Sequence, residues 1–201
     1  PLQIQHSLDA ILPYHSPIFP DSEVIYGPTV QGFDAQAYAE SAGGFLASYQ
    51  EELRGERFSG PEIVRLVALE SSINPRLLLA FLDYRSGWVF DDPPGASKDR
   101  FPIGFGAADT GLYNELMITA KVLAQGFYGW RDGSRTDLNF FGGGTARLSP
   151  GLNAGSTAIM HLFATLHDQE TWEDKLFGDG SFLVFYQALF GDPWSRAVEV
   201  E

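Results

Sequence analysis

The fold is decided by the stretch NPRLLLAFLDYRSGW, residues 74–88. Asn74 followed by Pro75 predicts a helix start, because an asparagine side chain caps free backbone amides and a proline fits the first turn. Residues 77–82 are apolar all the way round, so the predicted helix has no polar face and belongs in the middle of a domain. Gly87 stands where such a helix ends. The chain is therefore built around one buried helix.

Composition places the chain among globular domains. Its 201 residues are 44% hydrophobic and 19% charged, outside the low-hydrophobicity, high-charge regime of disordered chains. No run approaches about 18 uninterrupted apolar residues, so we expect no membrane span. The absence of cysteine excludes disulfide frameworks and thiolate metal sites.

The charge balance argues against nucleic acid as a partner. The chain has 26 acidic and 13 basic residues, which gives a formal net charge of −13. Such a surface repels phosphate backbones, and the few basic residues form no patch interleaved with aromatic residues.

Helical patterns flank the buried helix on both sides. Residues 1–33 contain several prolines, and we expect an extended N-terminal arm there, followed by a single domain over 34–201. Asp34 is a cap for a helix to about Leu53. Ser59 and Glu62 form a capping box that opens a helix to about residue 72.

The second half of the chain contains a long loop, a hairpin and further helices. The loop runs from about residue 89 to 110, and Asp109 or Thr110 starts a helix to about Gln125. Alternating Leu138 and Phe140 beside a glycine run predict a small β-hairpin within 131–150. Two more helices are predicted over 154–167 and 180–190. The expected architecture is mainly α with one small hairpin.

Common catalytic and metal-binding signatures are missing. The four histidines have no partner four residues away, and the chain has no HExxH or GxSxG motif. We therefore expect no metal and no cofactor.

Carboxylates and aromatic rings remain as the candidate functional groups. Glycoside cleavage needs a partly desolvated carboxylic acid, and the end of a buried helix that opens on a cleft offers that environment. Asp83 is the first candidate and Glu70, one helix earlier, is the second. The alternative for Asp83 is a helix-end carboxylate paired with Arg85 or Arg76, and for Glu70 it is a solvated helix position.

Rings and amides could line a sugar-binding cleft, although each has a plainer interpretation. Aromatic side chains dominate cores generally, and Asn153 equally suits the N-cap of the helix that follows it. The candidate substrate-binding residues are Tyr84, Arg85, Trp88, Tyr113, Asn114, Tyr128, Trp130 and Asn153.

Three motifs, in order along the chain, resemble the lytic transglycosylases of the lysozyme-like superfamily. Residues 73–88 look like the family helix that ends in a Glu-Ser-Gly element with the single catalytic acid. Gly111-Leu112-Tyr113-Asn114 is similar to its Gly-Leu-Met/Phe-Gln stretch, and Leu152-Asn153-Ala154-Gly155 to its Tyr-Asn-Ala-Gly element. The likeness spans about residues 60–168.

The whole chain resembles most closely the helical domain that precedes peptidoglycan endopeptidase modules in some bacterial envelope proteins. The resemblance implies a lysozyme-like helical domain, a secreted or envelope location, and a polysaccharide partner such as peptidoglycan. Its cleft would lie between the 75–87 helix, the 88–110 loop and the 111–153 region.

The sequence departs from that family at the acid. Arg85-Ser86-Gly87 places arginine where the catalytic glutamate should stand, and arginine cannot act as a general acid near neutral pH. Asp83 is two residues earlier, about 200° around the helix, and is aimed elsewhere. Leu152 replaces the tyrosine of the later motif.

Three functions follow from these residues. The first is a glycosidase or lytic transglycosylase that acts on peptidoglycan or a related glycan, with Asp83 as the acid. The second is a catalytically inactive glycan-binding or scaffolding module that keeps the groove. The third is a glycoside hydrolase with relocated carboxylates that cuts another polysaccharide, for which a pair of facing carboxylates would be expected.

Overall fold

The protein is mainly helical, with two small antiparallel strand pairs, as the sequence predicts. The computed structural model describes residues 15–92, 100–106 and 111–200. The helices are α1 (Ala35–Ala42), α2 (Phe45–Ser48), α3 (Gly60–Ser71), α4 (Pro75–Ser86), α5 (Leu112–Arg131), α6 (Ala154–Leu166), α7 (Gln169–Phe177) and α8 (Phe182–Phe190). The strands are β1 (Gln50–Leu53), β2 (Glu56–Ser59), β3 (Asp137–Asn139) and β4 (Thr145–Arg147).

Helix α4 is the buried centre of the fold. The side chain of Asn74 accepts a hydrogen bond from the amide of Arg76 at 3.0 Å, and Gly87 ends the helix in the left-handed conformation. All six residues from 77 to 82 have no solvent-exposed surface. The predicted start, end and burial of this helix are confirmed.

The helix predicted over 34–53 is wrong beyond its first turns. Asp34 caps α1 as expected, but Gly43 ends it in the left-handed conformation. Gly44 lies against the backbone of Val89, where a Cβ atom would be 2.5 Å from the carbonyl oxygen, so this close approach requires glycine. After the single turn of α2 the chain forms β1, whose pairing with β2 was not predicted.

The capping box of α3 is confirmed. The amide of Glu62 donates to the Ser59 hydroxyl at 3.4 Å, and the Ser59 amide donates to the Glu62 carboxylate at 2.8 Å. Burial of Ile63, Val64 and Val67 then places α3 against the core.

Helix α5 is longer than predicted, because it continues past Gln125 to Arg131. Glycine normally weakens a helix, but Gly126 lies where α6 crosses α5. A Cβ atom there would be 2.8 Å from the Ala158 Cα atom, so the crossing needs glycine inside the helix. Tertiary packing outweighs the low helix propensity. The predicted helix starts at Asp109 or Thr110 lie outside the described residues.

The later elements follow the predictions with one addition. Strands β3 and β4 form the hairpin expected within 131–150, and α6 and α8 occupy the two predicted helical regions. Helix α7 was not predicted. It buries only Trp172 and Leu176, and its other residues are largely polar, so its periodicity in the sequence is weak.

The part of the N-terminal segment that the structure describes, residues 15–33, contains two 3-10 turns. Phe19 and Val24 have no exposed surface, so the segment contributes to the core. No helix in the described part of the chain is long and apolar enough to cross a membrane.

Candidate functional site

The Asp83 carboxylate is bound to the backbone that follows α4. Its Oδ1 atom accepts hydrogen bonds from the amides of Val89 at 2.9 Å and Phe90 at 3.3 Å. Burial raises the pKa of Asp83, the two amide bonds lower it, and nearby Asp91 raises it, with a net increase. The group therefore has the raised pKa of a general acid but is engaged in holding the turn after the helix.

Arg85 points to the other side of α4, as the rotation of about 200° between the two residues predicts. Its Nε atom donates to the carbonyl oxygen of Ile103 at 2.8 Å, and its Nη1 atom lies 3.3 Å from Nε2 of His167. Burial lowers the pKa of the Arg85 guanidinium. At the place where the resemblance expects an acid, the chain thus has a cation that holds residues 100–106, termed here the 100–106 segment.

Glu115 holds the same segment from the opposite side. One carboxylate oxygen, Oε2, accepts three backbone amides, from Ile103 at 3.1 Å, Gly104 at 2.7 Å and Phe105 at 3.3 Å. The side chain has no exposed surface, and its second oxygen is buried without a hydrogen-bond partner. Arg85 and Glu115 together fix the segment, and Ile103 within it is fully buried.

Aromatic residues at the end of α4 are packed into the protein. Trp88 has no exposed surface, and its ring centroid lies 4.7 Å from that of Phe45 and 4.8 Å from that of Tyr49. In this conformation its ring offers no surface to a sugar. Tyr84 is half-buried, with its ring 5.5 Å from that of Phe182.

Residues 93–99 and 107–110, which the predicted cleft includes in its wall, lie outside the described residues. Five cavities formed by described residues have linings that include none of the side chains of Asp83, Arg85 and Trp88.

Glu70, Tyr113 and Arg54 form a separate surface cluster. The Tyr113 hydroxyl donates to the Glu70 carboxylate at 2.6 Å, and Arg54 lies 3.6 Å from the other Glu70 oxygen. The bond to Glu70 raises the pKa of Tyr113. Asn114 is half-buried on the next position of α5, and no hydrogen bond joins its side chain to another described residue.

Helix α5 separates the predicted substrate-binding residues into two groups. Tyr113 and Trp130 are 17 positions apart on one continuous helix, which corresponds to about 25 Å at a rise of 1.5 Å per residue. Tyr128 is 53% exposed, and it is about 200° from Trp130 around the axis. These residues do not line one short groove.

Trp130 lies beside the β3–β4 hairpin. Its indole nitrogen donates to the carbonyl oxygen of Leu152 at 2.9 Å. The ring lines a cavity of about 320 Å³ with Thr136 and Arg147, and a cavity of about 280 Å³ around Arg135 also includes Thr136. We name these two cavities, which share Thr136, the hairpin groove. Its main lining residues are Trp130, Arg135, Thr136, Asp137, Arg147 and Leu148.

Asn153 ties the N-terminal segment to α6. Its amide nitrogen donates to the carbonyl oxygen of Phe19 at 2.8 Å and to the Asp21 carboxylate at 2.6 Å. Asn153 occupies the N-cap position, but its side chain accepts no backbone amide there. Asp21 performs that role instead, because its carboxylate accepts the Gly155 amide at 2.7 Å.

Sequence reasoning missed the two most buried carboxylates. Glu115 lies on the buried face of α5 with Leu112, Leu116 and Leu123, and an acid among these apolar positions was a detectable sign of a buried role. Glu23 accepts from the Tyr186 hydroxyl at 2.6 Å and from Arg196 at 2.9 Å, and these contacts join the two ends of the chain.

The largest of the five cavities was not predicted either. It has a volume of about 400 Å³ and lies between the N-terminal segment and α3, with Tyr26, Phe33 and Arg65 in its lining. Helical periodicity gave no indication of it, because its wall comes from irregular turns.

Comparison with known proteins gives one match. A family model described as "LasA, N-terminal domain" matches residues 17–200. Neither the curated proteins nor the solved structures gave a match.

Proposed function

The chain belongs to the LasA N-terminal domain family, and we propose that it is a catalytically inactive glycan-binding domain of a secreted or envelope protein. One observation carries the proposal. The position where the resemblance expects the catalytic acid is Arg85, whose guanidinium holds the 100–106 segment through the carbonyl oxygen of Ile103. A group that is always protonated and already engaged in the fold cannot serve as the acid of glycan cleavage.

The proposed partner is peptidoglycan or a related polysaccharide, and the proposed location is extracytoplasmic. Both follow from the resemblance to the helical domain that precedes peptidoglycan endopeptidase modules. A lysozyme-like origin belongs to the same proposal, and the three motifs over residues 60–168 support it. The net charge of −13 disfavours nucleic acid as an alternative polymer.

A glycosidase or lytic transglycosylase is the second candidate, and the raised pKa of Asp83 favours it. An acid with a raised pKa is suited to protonate a leaving group. The two backbone amides on Asp83 Oδ1 weigh against it, because they favour the ionised form and fix the carboxylate on the turn. Glu70 is similarly engaged by Tyr113.

The test is an assay for soluble glycan fragments released from peptidoglycan and from a panel of other polysaccharides. We expect the wild-type protein to release nothing above a buffer control. Asp83→Asn and Glu70→Gln are assayed beside it. Release by the wild type that one of these variants abolishes would establish a glycosidase and name its acid.

A further inference from the structure

The hairpin groove has the size and lining of a ligand site. Its two main cavities, of about 320 and 280 Å³, share Thr136 in their linings. The larger cavity alone lies within the range of about 300–1,000 Å³ that is typical of small-ligand sites. One wall carries the half-buried ring of Trp130, and the rest is mostly polar, with Arg135, Asp137 and Arg147.

Arg135 is held in the groove without a partner for its charge. Its amide donates to the carbonyl oxygen of Gly129 at 2.8 Å, and a Cβ atom on Gly129 would be 2.8 Å from the Arg135 side chain. The aliphatic stem therefore packs on the backbone of α5. No ion pair or side-chain hydrogen bond joins Arg135 to the rest of the described chain.

The neighbouring histidine, His161, does not neutralise the positive charge of Arg135. His161 of α6 lines a small separate cavity whose lining also includes Arg135 and Asp137, and burial together with Arg135 lowers the pKa of His161 to about 4. The neutral ring adds no positive charge and no negative charge. The second cation, Arg147, is 70% exposed and lies 3.0 Å from Asp137, a surface pair that contributes little energy and yields easily to a ligand.

We propose that the hairpin groove binds a carboxylate-bearing sugar unit of the glycan, a site that rests on the proposed glycan-binding function. The sugar ring packs against Trp130, and Arg135 with Arg147 receives the carboxylate. Arginine forms paired hydrogen bonds to carboxylates, and an aromatic ring offers apolar area at small entropic cost. In a chain with a net charge of −13, an unpaired arginine in a cavity selects an anion against the overall repulsion.

An anionic sugar fits this lining better than a neutral one. A neutral sugar would leave Arg135 without a counter-charge after water is displaced, and desolvating an unpaired charge is unfavourable. The carboxylate belongs either to an N-acetylmuramic acid unit whose lactyl group carries no stem peptide or to a uronic acid of another polysaccharide. Both present the same chemistry to the groove.

The experiment measures dissociation constants by calorimetry for the whole chain. The probes are N-acetylmuramic acid, a glucuronic acid oligomer and neutral N-acetylglucosamine. Variants Arg135→Gln and Arg147→Gln each remove one groove cation, and Arg135→Lys keeps the charge but loses the paired geometry. Arg57→Gln is the control, because it makes the same charge change at an exposed position on β2, outside the groove lining.

We expect at least one acidic probe to bind more tightly than N-acetylglucosamine, and the tighter of the two identifies the source of the carboxylate. Arg135→Gln should weaken that binding by about tenfold or more, Arg135→Lys by less, and Arg57→Gln within twofold. Thermal melting of each variant excludes unfolding as the cause.

Equal binding of acidic and neutral probes, or unchanged affinity in both glutamine variants, would overturn the groove assignment. Binding of the wild type to insoluble peptidoglycan is measured in parallel. If it persists in Arg135→Gln, the domain binds glycan elsewhere and only the groove proposal fails. If the wild type binds no glycan at all, the proposed function fails with it.

Discussion

Arg85 connects the end of the central helix to the segment that covers it. Its Nε atom donates to the Ile103 carbonyl oxygen at 2.8 Å, while Glu115 binds the amides of Ile103, Gly104 and Phe105. The cation and the anion thus satisfy opposite polar groups of one short stretch of backbone. The Ile103 carbonyl oxygen needs a donor at position 85, which arginine provides and an ionised glutamate does not.

Replacing Arg85 with glutamate should therefore destabilise the protein without creating an active site. The change removes the donor to Ile103 and brings a second carboxylate near buried Glu115. We expect the free energy of unfolding to fall by about 3 kcal/mol. Urea unfolding measures the loss, and Arg85→Gln, which adds no negative charge, should lose less. A fully stable Arg85→Glu variant that releases glycan would contradict this account.

His161 predicts a pH dependence of stability. Its pKa is about 4 in the folded protein and 6.5 by its ordinary value, because burial and Arg135 disfavour the charged ring. Between these values the unfolded chain binds a proton that the folded protein does not, so stability from this residue is present above pH 6.5 and is lost as the pH falls toward 4. The loss is up to about 3 kcal/mol.

The measurement compares urea unfolding of wild type and His161→Gln between pH 7 and pH 4. Carboxylate titrations are common to both proteins and cancel in the difference. We expect the wild type to lose more stability than the variant over this range. Parallel losses would show that the His161 ring titrates normally in the fold.

Among the elements, the crossing of α5 and α6 depends on a single glycine. At Gly126 a Cβ atom would meet the Ala158 Cα atom at 2.8 Å and the Thr157 carbonyl oxygen at 3.1 Å. Both contacts involve backbone, which cannot move aside as a flexible side chain can. Gly126→Ala should lower stability by about 1–3 kcal/mol despite the better helix propensity of alanine.

A melting experiment tests this with a neighbouring control. Gln125 is exposed on the same turn, so Gln125→Ala should change stability by about 0.5 kcal/mol or less. If Gly126→Ala melted at or above the wild-type temperature, the helices would not be in the contact described.

The sequence could predict which elements exist better than where they end. Capping residues, as at Ser59 and Asn74, are local and were read correctly. Helix ends that depend on packing against distant residues were not predicted correctly. Gly44 breaks a predicted helix because Val89 lies against it, and Gly126 fails to break one because α6 needs the space. Whether a helix ends or continues at these two glycines depends on residues far away in the sequence.

The same limitation affected the candidate site. A helix predicted to end at Gln125 left Trp130 free to fold toward Tyr113. Because α5 continues to Arg131, Trp130 instead lies 17 positions, about 25 Å along the helix axis, from Tyr113. The arginine at the end of α4 was readable from a local motif, whereas the hairpin groove combines the end of α5 with the β3–β4 hairpin, which no local pattern joins.

At the scale of the whole molecule, an ion pair with a buried carboxylate joins the N-terminal segment to the region after α8. Glu23 has no exposed side-chain surface and lies 2.9 Å from Arg196, 173 positions later. Arg196→Ala would leave the carboxylate with the Tyr186 hydroxyl alone, so we expect a loss of about 3 kcal/mol in urea unfolding.

A second substitution separates the charge from the packing. Glu23→Gln added to Arg196→Ala removes the unpaired charge and should recover part of the loss. A single variant as stable as wild type, or a double variant with the summed losses of both singles, would show that the pair does not lock the chain ends.

The proposed function is binding of cell-wall glycan without cleavage, and co-sedimentation with insoluble peptidoglycan is its most direct test. The protein is incubated with the polymer, and both the bound protein and the soluble sugar are followed over hours. We expect saturable binding that stays constant while no soluble fragments appear. Absence of binding, or fragments that accumulate in proportion to the protein, would contradict it.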